Sequence, residues 1–182
     1  MKERETSQFV FVDEGGSNIA LTPLYARAPK GQRATDRVPR HRGKNSTLIA
    51  ALTLEGINAS MIIEGAANGA AFEAYVEHIL VPSLHSGQVV VMDNLRVHKS
   101  APVRQLIEDQ GCQVLFLPAY APDFSPIEES FSKVKAHLRR SKARTREALQ
   151  EAIAQALLTV TPQDAHGWFR HCGYLPPQER QS

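Results

Sequence analysis

The sequence predicts an α/β domain in which helices cover a mixed β-sheet. Three observations lead to this prediction: apolar runs rich in β-formers come first, strand and helix patterns then alternate, and two helical patterns come last. Consecutive strands joined by turns favour antiparallel pairing, whereas strand–helix–strand alternation favours parallel pairing. With 182 residues, 42% of them hydrophobic, the chain is long enough to bury the core of one domain.

The N-terminal part of the chain is predicted to form an antiparallel meander. Residues 8–13 (QFVFVD) form a run of β-formers that stops at a carboxylate, and Gly15 and Gly16 follow it. Further strands are predicted at residues 18–27 (NIALTPLYAR), 46–56 (STLIAALTLEG) and 57–65 (INASMIIEG). Residues 28–45 combine Pro, Gly and basic residues without apolar periodicity, which indicates a long loop of the kind that is usually functional or mobile.

Helix and strand patterns alternate through the rest of the chain. Asn68 is predicted to cap a helix that ends at Pro82, because its apolar residues recur at helical spacing: Phe72, Tyr75, Val76, Ile79 and Leu80. Residues 87–94 (GQVVVMDN) are typical of a strand buried on both faces. The further predicted elements are a helix over about 100–110, a strand at 112–118, helices over about 126–140 and 144–158, and a fraying tail at 161–182.

Two blocks of positive charge indicate a polyanionic partner. Residues 27–44 contain seven Lys or Arg residues and one acid, and residues 133–146 contain seven more and no acid. These fourteen of the 21 basic residues are Arg27, Lys30, Arg33, Arg37, Arg40, Arg42, Lys44, Lys133, Lys135, Arg139, Arg140, Lys142, Arg144 and Arg146. The alternative is that both blocks are solvated surfaces that keep the domain soluble.

Composition and motifs argue against several classes of protein. Two cysteines are too few for a disulfide framework, and the charged N-terminus and the absence of a long apolar run predict a cytoplasmic protein. A zinc site is not expected, because Cys112 and Cys172 have no nearby Cys partner and Cys172 with His166 and His171 does not form two ligand pairs. The chain also lacks a GxxxxGK phosphate loop and a Ser nucleophile elbow.

Two predicted strands end in aspartate, Asp13 in FVFVDE and Asp93 in VVVMDN. For one such residue alone, a turn or capping role would be the simpler interpretation. If the two strands are parallel neighbours, the aspartates face each other across roughly 5 Å, the spacing of paired strands. Because two carboxylates that close repel, a divalent cation is the expected partner, and oxygen ligands favour Mg²⁺ or Mn²⁺.

The helix after APDF carries the candidate third acid. Ser125 is predicted as its N-cap and Pro126 as its first residue, and the structural alternative for Glu128 is that it partners Ser125 in a capping box. Its buried stripe comprises Ile127, Phe131, Val134 and Leu138. Glu128 lies beside this stripe, whereas Glu129 is expected to face solvent. Asp123 is expected to shape the turn before the helix, against which Tyr120 and Phe124 pack.

The segments MDNLRVHKS and LFLPAYAPDFSPIEESFSKVK resemble the catalytic domain of the IS630/Tc1/mariner superfamily of transposases. The family's "DN…H" segment reads DNLRVH here, and its "SPDLNPIE" segment reads APDFSPIE, followed by Phe131, Lys133 and Lys135. Thirty-four residues separate Asp93 from Glu128, which matches the family's DD34E spacing. FVDEGG supplies the first aspartate, and YARAPKGQR resembles the family's Arg/Gly loop. The resemblance covers about residues 8–160.

The resemblance implies an RNase H-like fold with a mixed five-stranded sheet flanked by helices. It implies a lead at 1–7, a DDE catalytic domain at 8–160 and a tail at 161–182, without the family's N-terminal helix-turn-helix domain. By the same resemblance, Asp13, Asp93 and Glu128 hold two Mg²⁺ or Mn²⁺ ions, roughly 3.5–4 Å apart in sites of this class. The implied reaction is metal-dependent cleavage of DNA at element ends and transfer of the 3′-hydroxyl into target DNA.

The resemblance also implies DNA as partner, a homodimer on paired ends and a cytoplasmic, nucleoid-associated location. Because the sequence departs from the family in starting almost at the first catalytic strand, either a separate helix-turn-helix product of a split reading frame or a truncated copy is expected. Residues expected to contact DNA are Arg27, Lys30, Arg33, Arg40, Arg42, Lys44, His98, Lys99, Lys133, Lys135, Arg139 and Arg140. For His98 a hydrogen-bonded structural role is an equal alternative. Trp168 and Phe169 are expected in the core or in a dimer contact.

Two other functions are open from the sequence. Another RNase H-like nuclease, such as an RNase H or a junction resolvase, would share the carboxylates but not the spacing of the "SPIE" helix. An inactive remnant that only binds DNA would not need the acids, although it could keep them. Strand transfer separates the transposase from the other nucleases, because those enzymes only hydrolyse the phosphodiester.

Overall fold

The computed structural model describes residues 5–118 and 122–175 and contains a mixed five-stranded sheet. Its strands are β1 (Phe9–Ser17), β2 (Ser46–Thr53), β3 (Gly56–Glu64), β4 (Val89–Met92) and β5 (Gln113–Phe116). They lie in the order β3-β2-β1-β4-β5. The pairs β1–β2 and β2–β3 are antiparallel, and the pairs β1–β4 and β4–β5 are parallel. The predicted α/β class and mixed sheet are therefore confirmed.

The helices are α1 (Gly69–Tyr75), α2 (Ala101–Asp109), α3 (Pro126–Ser141), α4 (Arg146–Leu158) and α5 (Pro162–His171). Short 3₁₀ turns lie at Thr6–Gln8 and Pro122–Phe124, and α1 continues through a π-helical turn, Val76–Leu80, and a 3₁₀ turn, Val81–Ser83. The side chain of Asn68 accepts a hydrogen bond from the N–H of Ala71, which confirms it as the cap of α1. No helix in the described ranges is long and apolar enough to cross a membrane.

Alternation along the central strands builds a core on each face of the sheet. Val10 and Val12 of β1 face α1 and α2, whereas Phe11 faces α3, α4 and α5. The predicted stripe of α3 is confirmed, since each of its members is buried in the second of these cores: Ile127, Phe131, Val134 and Leu138. Helix α3 therefore lies across the face of β1 that carries Phe11.

The prediction of a strand at residues 18–27 is wrong. Strand β1 instead runs through both glycines to Ser17, which pairs with Ser46 of β2, and a long loop follows it. Pro23 has no N–H for a sheet ladder. The carbonyls of Ile19 and Leu21 accept hydrogen bonds from the Arg144 guanidinium at 2.9 and 3.1 Å. A side chain thus satisfies the backbone groups that a neighbouring strand would have paired.

The tail predicted to fray contains helix α5, so that prediction is wrong for Pro162–His171. A capping box between Thr161 and Asp164 begins the helix. Phe169 is fully buried, and its ring packs edge-on against Phe11 with 5.2 Å between centroids. The core position expected for Phe169 is therefore confirmed, and Trp168 packs, partly buried, at the border of the same core. The last part of the predicted tail, 176–182, lies outside the described residues.

Candidate active site

The register of the two central parallel strands places Asp13 beside Asp93. In β1 and β4, Phe11 pairs with Val91 and Val12 pairs with Met92, and the two aspartates are the next residues of their chains. Because side chains alternate along a strand, Asp13 and Asp93 continue the row of side chains on the face of the sheet that carries Phe11. Helix α3 lies over this face. The sequence expectation that these two strand ends are parallel neighbours is confirmed.

Helix α3 brings Glu128 to the same edge of the sheet. The Phe131 ring lies directly over Gly15, where an added Cβ atom would meet it at 3.4 Å. Glu128 precedes Phe131 by three residues, so it lies one turn nearer the start of α3. The Glu128 carboxylate is close enough to Asp13 that its negative charge contributes to the raised pKa of that carboxyl.

The predicted capping box at the start of α3 does not form. Ser125 is the N-cap and Pro126 the first helical residue, as expected, but the Ser125 side chain accepts no capping hydrogen bond. The N–H of Glu128 donates to the backbone carbonyl of Ser125 at 3.1 Å. The Glu128 carboxylate is exposed and, among the described residues, has no hydrogen bond or ion pair. It is thus available to bind a ligand.

Asp13 is held in an environment that opposes its negative charge. Burial, together with the charges of Glu128, Asp93 and Glu14, raises the pKa of the Asp13 carboxyl to about 7, although the N–H of Glu14 donates to it at 2.7 Å. A cation bound among these neighbouring carboxylates would neutralise their negative charge.

Asp93 is held by hydrogen bonds at the end of β4. Its Oδ1 accepts from the N–H of Leu95 at 3.0 Å and from Nδ1 of His98 at 2.5 Å. Burial alone would raise the pKa of the Asp93 carboxyl, but these two hydrogen bonds outweigh it and hold that pKa below its usual value. Asp93 is therefore an oriented carboxylate at neutral pH.

His98 is fully buried and connects two carboxylates. Its Nε2 lies 3.0 Å from Oε2 of Glu14, and its ring packs on Phe72 with 4.4 Å between centroids. Burial would lower the pKa of His98, but the hydrogen bonds to Asp93 and Glu14 raise it to about 9, so the ring is an imidazolium that donates from both nitrogens. This geometry supports the structural role considered for His98, and a DNA contact by His98 stays a prediction.

Glu14 is a residue of this site that the sequence analysis missed. It follows Asp13 in β1, so its side chain projects to the opposite face of the sheet, where it meets His98. The only signal in the sequence is the second acid of FVFVDE, and its partner lies 84 residues away.

The residues at this edge fit a hard divalent cation. Asp13, Asp93 and Glu128 offer only carboxylate oxygens, which Mg²⁺ and Mn²⁺ prefer. His98 compensates the charge of Asp93 and Glu14, but Asp13 and Glu128 have no cationic side chain as a direct partner in the described ranges. A bound cation would supply the missing positive charge.

Glu129 is less exposed than expected. Its side chain is about one-third exposed, at 33%, and its Oε1 pairs with Nδ1 of His171 at the end of α5. A cleft of about 280 Å³ opens here, lined by Asp123, Ser125, Glu128, Glu129, Ser132, His171 and Cys172. Asp123 is exposed in the 3₁₀ turn Pro122–Phe124, as is Phe124, while Tyr120 lies outside the described residues. All three acids at the start of α3 thus border this cleft, and Glu128 also lies close to Asp13.

The basic loop is exposed on the surface. Every one of its predicted DNA contacts is accessible to solvent: Arg27, Lys30, Arg33, Arg40, Arg42 and Lys44. Lys44 pairs with Glu64 at 2.5 Å, and Asp36 of the loop pairs with Lys142 at 2.6 Å. The loop is therefore tied to the domain at two points while most of its positive charge faces solvent.

The second basic block is partly used in intramolecular contacts. Lys133 pairs with Asp164 of α5 at 2.5 Å, and Arg146 pairs with Glu64. Lys135 and Arg139 are partly buried, whereas Arg140 is exposed. Lys99 is also exposed and lies over the Phe116 ring, 5.8 Å from its centroid. For all of these residues a contact with DNA stays a prediction.

Comparisons with known proteins agree with this architecture. A family model of DDE superfamily endonucleases matches residues 8–150. A search of curated proteins found no match.

Among solved structures, a Mos1 transposase paired-end complex with the left transposon end has a TM-score of 0.71 and 18% identity, over 94% of this chain and 53% of that chain. The Mos1 strand transfer complex has a TM-score of 0.67 and 19% identity, over 92% and 51%. The Mos1 catalytic domain with raltegravir and Mn has a TM-score of 0.63 and 14% identity, over 94% and 82%.

The chain thus spans about half the length of the transposase chains in the first two complexes and most of the isolated catalytic domain. The likeness shows the expected RNase H-like fold of the Mos1 catalytic domain. The match to the family model covers most of the sequence, from the strand that carries Asp13 to the start of α4. The resemblance noted in the sequence is confirmed, and the chain belongs to the family of DDE superfamily endonucleases.

Proposed function

We propose that this chain is the catalytic part of a DNA transposase that cleaves phosphodiester bonds at element ends and joins the freed 3′-hydroxyl to target DNA. The observation that supports the proposal most directly is the pairing of β1 with β4, which places Asp13 beside Asp93 under the helix that carries Glu128. The same fold occurs in Mos1 complexes with a transposon end and after strand transfer.

Asp13, Asp93 and Glu128 would hold the divalent ions of the reaction, Mg²⁺ or Mn²⁺, and we propose two. The catalytic domain of Mos1 has been solved with Mn and with Mg. When bound, such ions supply activation of the attacking water or 3′-hydroxyl and neutralise the charge that develops on the leaving 3′-oxygen.

The three carboxylates differ in how the protein prepares them. Asp13 is the most buried and its pKa is raised to about 7, so below that pH a cation has to displace its proton. Asp93 is already ionised and oriented by His98. Glu128 is exposed at the edge of the sheet, where a DNA backbone can approach it. The protein's part in the reaction is thus positioning and charge compensation.

The exposed loop over residues 27–44 would contact DNA phosphates, giving affinity that depends on salt and little on sequence. A homodimer on paired ends, a helix-turn-helix partner product and a nucleoid location remain predictions that follow from the same proposal.

The test is a nicking and strand-transfer assay on element-end DNA with Mg²⁺ or Mn²⁺. Wild type is compared with Glu128→Gln and with Glu55→Gln, an exposed acid in the β2–β3 turn at the opposite end of the sheet. We expect Glu128→Gln to lose activity on the order of a thousandfold while it unfolds at the wild-type urea concentration. Glu55→Gln should match wild type in both measurements.

The assay also separates the other functions considered. Hydrolysis without strand transfer would assign the chain to the simple nucleases, and DNA binding without cleavage by wild type would make it an inactive remnant. If Glu128→Gln and Glu55→Gln are equally active, Glu128 is not a catalytic ligand and the proposed site is wrong.

A further inference from the structure

The cleft between the start of α3 and the end of α5 brings together three different metal-binding side chains. A carboxylate oxygen of Glu129, a ring nitrogen of His171 and the sulfur of Cys172 all lie within 4.8 Å of one another. Glu129 and His171 are 42 residues apart in the chain, so only the packing of α5 against α3 makes them neighbours. Both elements are well anchored, since Ile127 of α3 and Phe169 of α5 are fully buried.

The separation of these atoms suits a small tetrahedral ion. Zinc bonds of about 2.0–2.3 Å imply ligand atoms roughly 3.3–3.8 Å apart. The three ligand atoms lie within 4.8 Å of one another, which is about 1 Å beyond this range at most. The cleft of about 280 Å³ that these residues line provides room for the ion and for a water molecule.

The Cys172 thiol is placed as a ligand would be. Cys112, the other cysteine, donates to the carbonyl of His85 at 3.2 Å. The sulfur of Cys172 has no hydrogen-bond partner among the described residues, and although only 8% exposed it borders the open cleft. The difference indicates that Cys112 is a core residue, whereas Cys172 has unused binding capacity.

The charge around the cleft also favours a cation. Asp123 and Glu128 line it in addition to Glu129, and His171 is the basic side chain that faces them within the described lining. The His171 side chain is itself 78% exposed, so it can rotate without breaking a buried contact.

We propose that Glu129, His171 and Cys172 form a binding site for Zn²⁺, with ligands different from the three carboxylates of the candidate active site, although Glu128 borders the same cleft. A thiolate, an imidazole and a carboxylate form a ligand set that zinc accepts, with a fourth position left to water. Mg²⁺ is a poor occupant, because it prefers oxygen ligands only. Binding replaces the thiol proton of Cys172, which passes to solvent, with the metal–sulfur bond.

The site would join α3, the helix that carries Glu128, to α5. Glu129 follows Glu128 directly, and His171 and Cys172 end α5, so the ion would fix the first turn of α3 against α5. This proposal does not depend on transposase activity, because it concerns metal binding and the stability of the α3–α5 contact.

The test uses Co²⁺ as a spectroscopic substitute for Zn²⁺ on the complete, reduced chain, with excess Mg²⁺ present to occupy hard oxygen sites. Wild type should bind one equivalent and show a thiolate-to-cobalt charge-transfer band, which added Zn²⁺ removes. Cys172→Ser should lose the band, and His171→Ala should bind about tenfold more weakly or worse. The charge-transfer band should persist in the controls Cys112→Ser and His166→Ala. It should also persist in Asp13→Asn, because this variant removes a carboxylate of the candidate active site and leaves the cleft unchanged.

Each result decides the proposal. Absence of the band in wild type overturns it, as does a band that survives Cys172→Ser or disappears in Cys112→Ser. If His171→Ala binds Co²⁺ as tightly as wild type, the proposal is also overturned. Because the His171 side chain is exposed, this variant should fold and decides the question even if Cys172→Ser does not fold.

Discussion

His98 joins Asp93 to Glu14 through both nitrogens of its ring. Nδ1 lies 2.5 Å from Oδ1 of Asp93, and Nε2 lies 3.0 Å from Oε2 of Glu14. The imidazolium is fully buried, whereas the side chains of Asp93 and Glu14 are 41% and 21% exposed. One buried cation thus ties the end of β4 to β1 and fixes the direction of a candidate metal ligand.

Removing this ring should weaken the fold as well as the site. We expect His98→Ala to lower the free energy of unfolding by about 1–3 kcal/mol, because two charge-assisted hydrogen bonds disappear and solvent replaces only part of them. Urea unfolding measures the change, and His78→Ala on the exposed surface of the turn after α1 is the control. Equal stability of the two variants would show that the bridge contributes nothing.

Asp13 should oppose folding at neutral pH. Burial raises its pKa in the folded state to about 7, compared with about 3.9 for an unfolded chain. The stability associated with such a raised pKa is fully present below pH 3.9 and is lost as pH rises through 7. In metal-chelated buffer, Asp13→Asn should therefore exceed wild type in stability by on the order of 2–4 kcal/mol above pH 7.

Urea unfolding measured from about pH 4 to pH 8 checks this, and the difference between Asp13→Asn and wild type should shrink towards the acidic end. Asp109→Asn, at an exposed position at the end of α2, should show no such trend. If Asp13→Asn is less stable than wild type from pH 4 to pH 8, burial of the Asp13 charge does not destabilise the fold.

Gly15 should tolerate only a small side chain. A Cβ atom there meets the Phe131 ring at 3.4 Å, an ordinary contact, so Gly15→Ala should fold nearly as well as wild type. In Gly15→Val, the branched side chain would displace Phe131 and should lower the free energy of unfolding by about 1–3 kcal/mol. Because Glu128 lies one turn away on the same helix, Gly15→Val should also reduce metal-dependent cleavage.

Gly16→Val is the matched control, because a Cβ atom at Gly16 has no heavy atom within 4 Å. Thermal unfolding and the cleavage assay compare the two valine variants. Similar losses in both would mean that the closeness of Phe131 to β1 does not determine the geometry of the site.

The basic loop should contribute to DNA affinity through charge. Arg33 and Arg40 are exposed, and no described acid pairs with either of them. If both bind phosphates, the double variant Arg33→Ala/Arg40→Ala should reduce the slope of log K against log salt by about 0.9 for each phosphate that it no longer neutralises. Fluorescence anisotropy with duplex DNA measures the slope, and Arg104→Ala, on α2, should leave it unchanged. An unchanged slope in the double variant would rule out phosphate binding by this pair.

Local patterns in the sequence were enough to predict the sheet strands that matter and the two aspartates at their ends. The apolar runs before Asp13 and Asp93 have the character of buried strands, and helical spacing identified the buried stripe of α3. These predictions succeeded because strand alternation, helix periodicity and capping are properties of neighbouring residues. The same reasoning failed at residues 18–27, where Arg144, distant in the chain, satisfies the backbone carbonyls.

The sequence by itself determined the α/β class and the order of most elements, and it singled out three acids as candidate metal ligands. Tertiary structure alone decided what lies around those acids: the burial that raises the pKa of Asp13, the His98 bridge to Glu14, and the cleft where Glu129 meets His171 and Cys172. The physical reason is distance along the chain. Burial, charge compensation and ligand clusters arise between residues that only the packing of separate elements brings together.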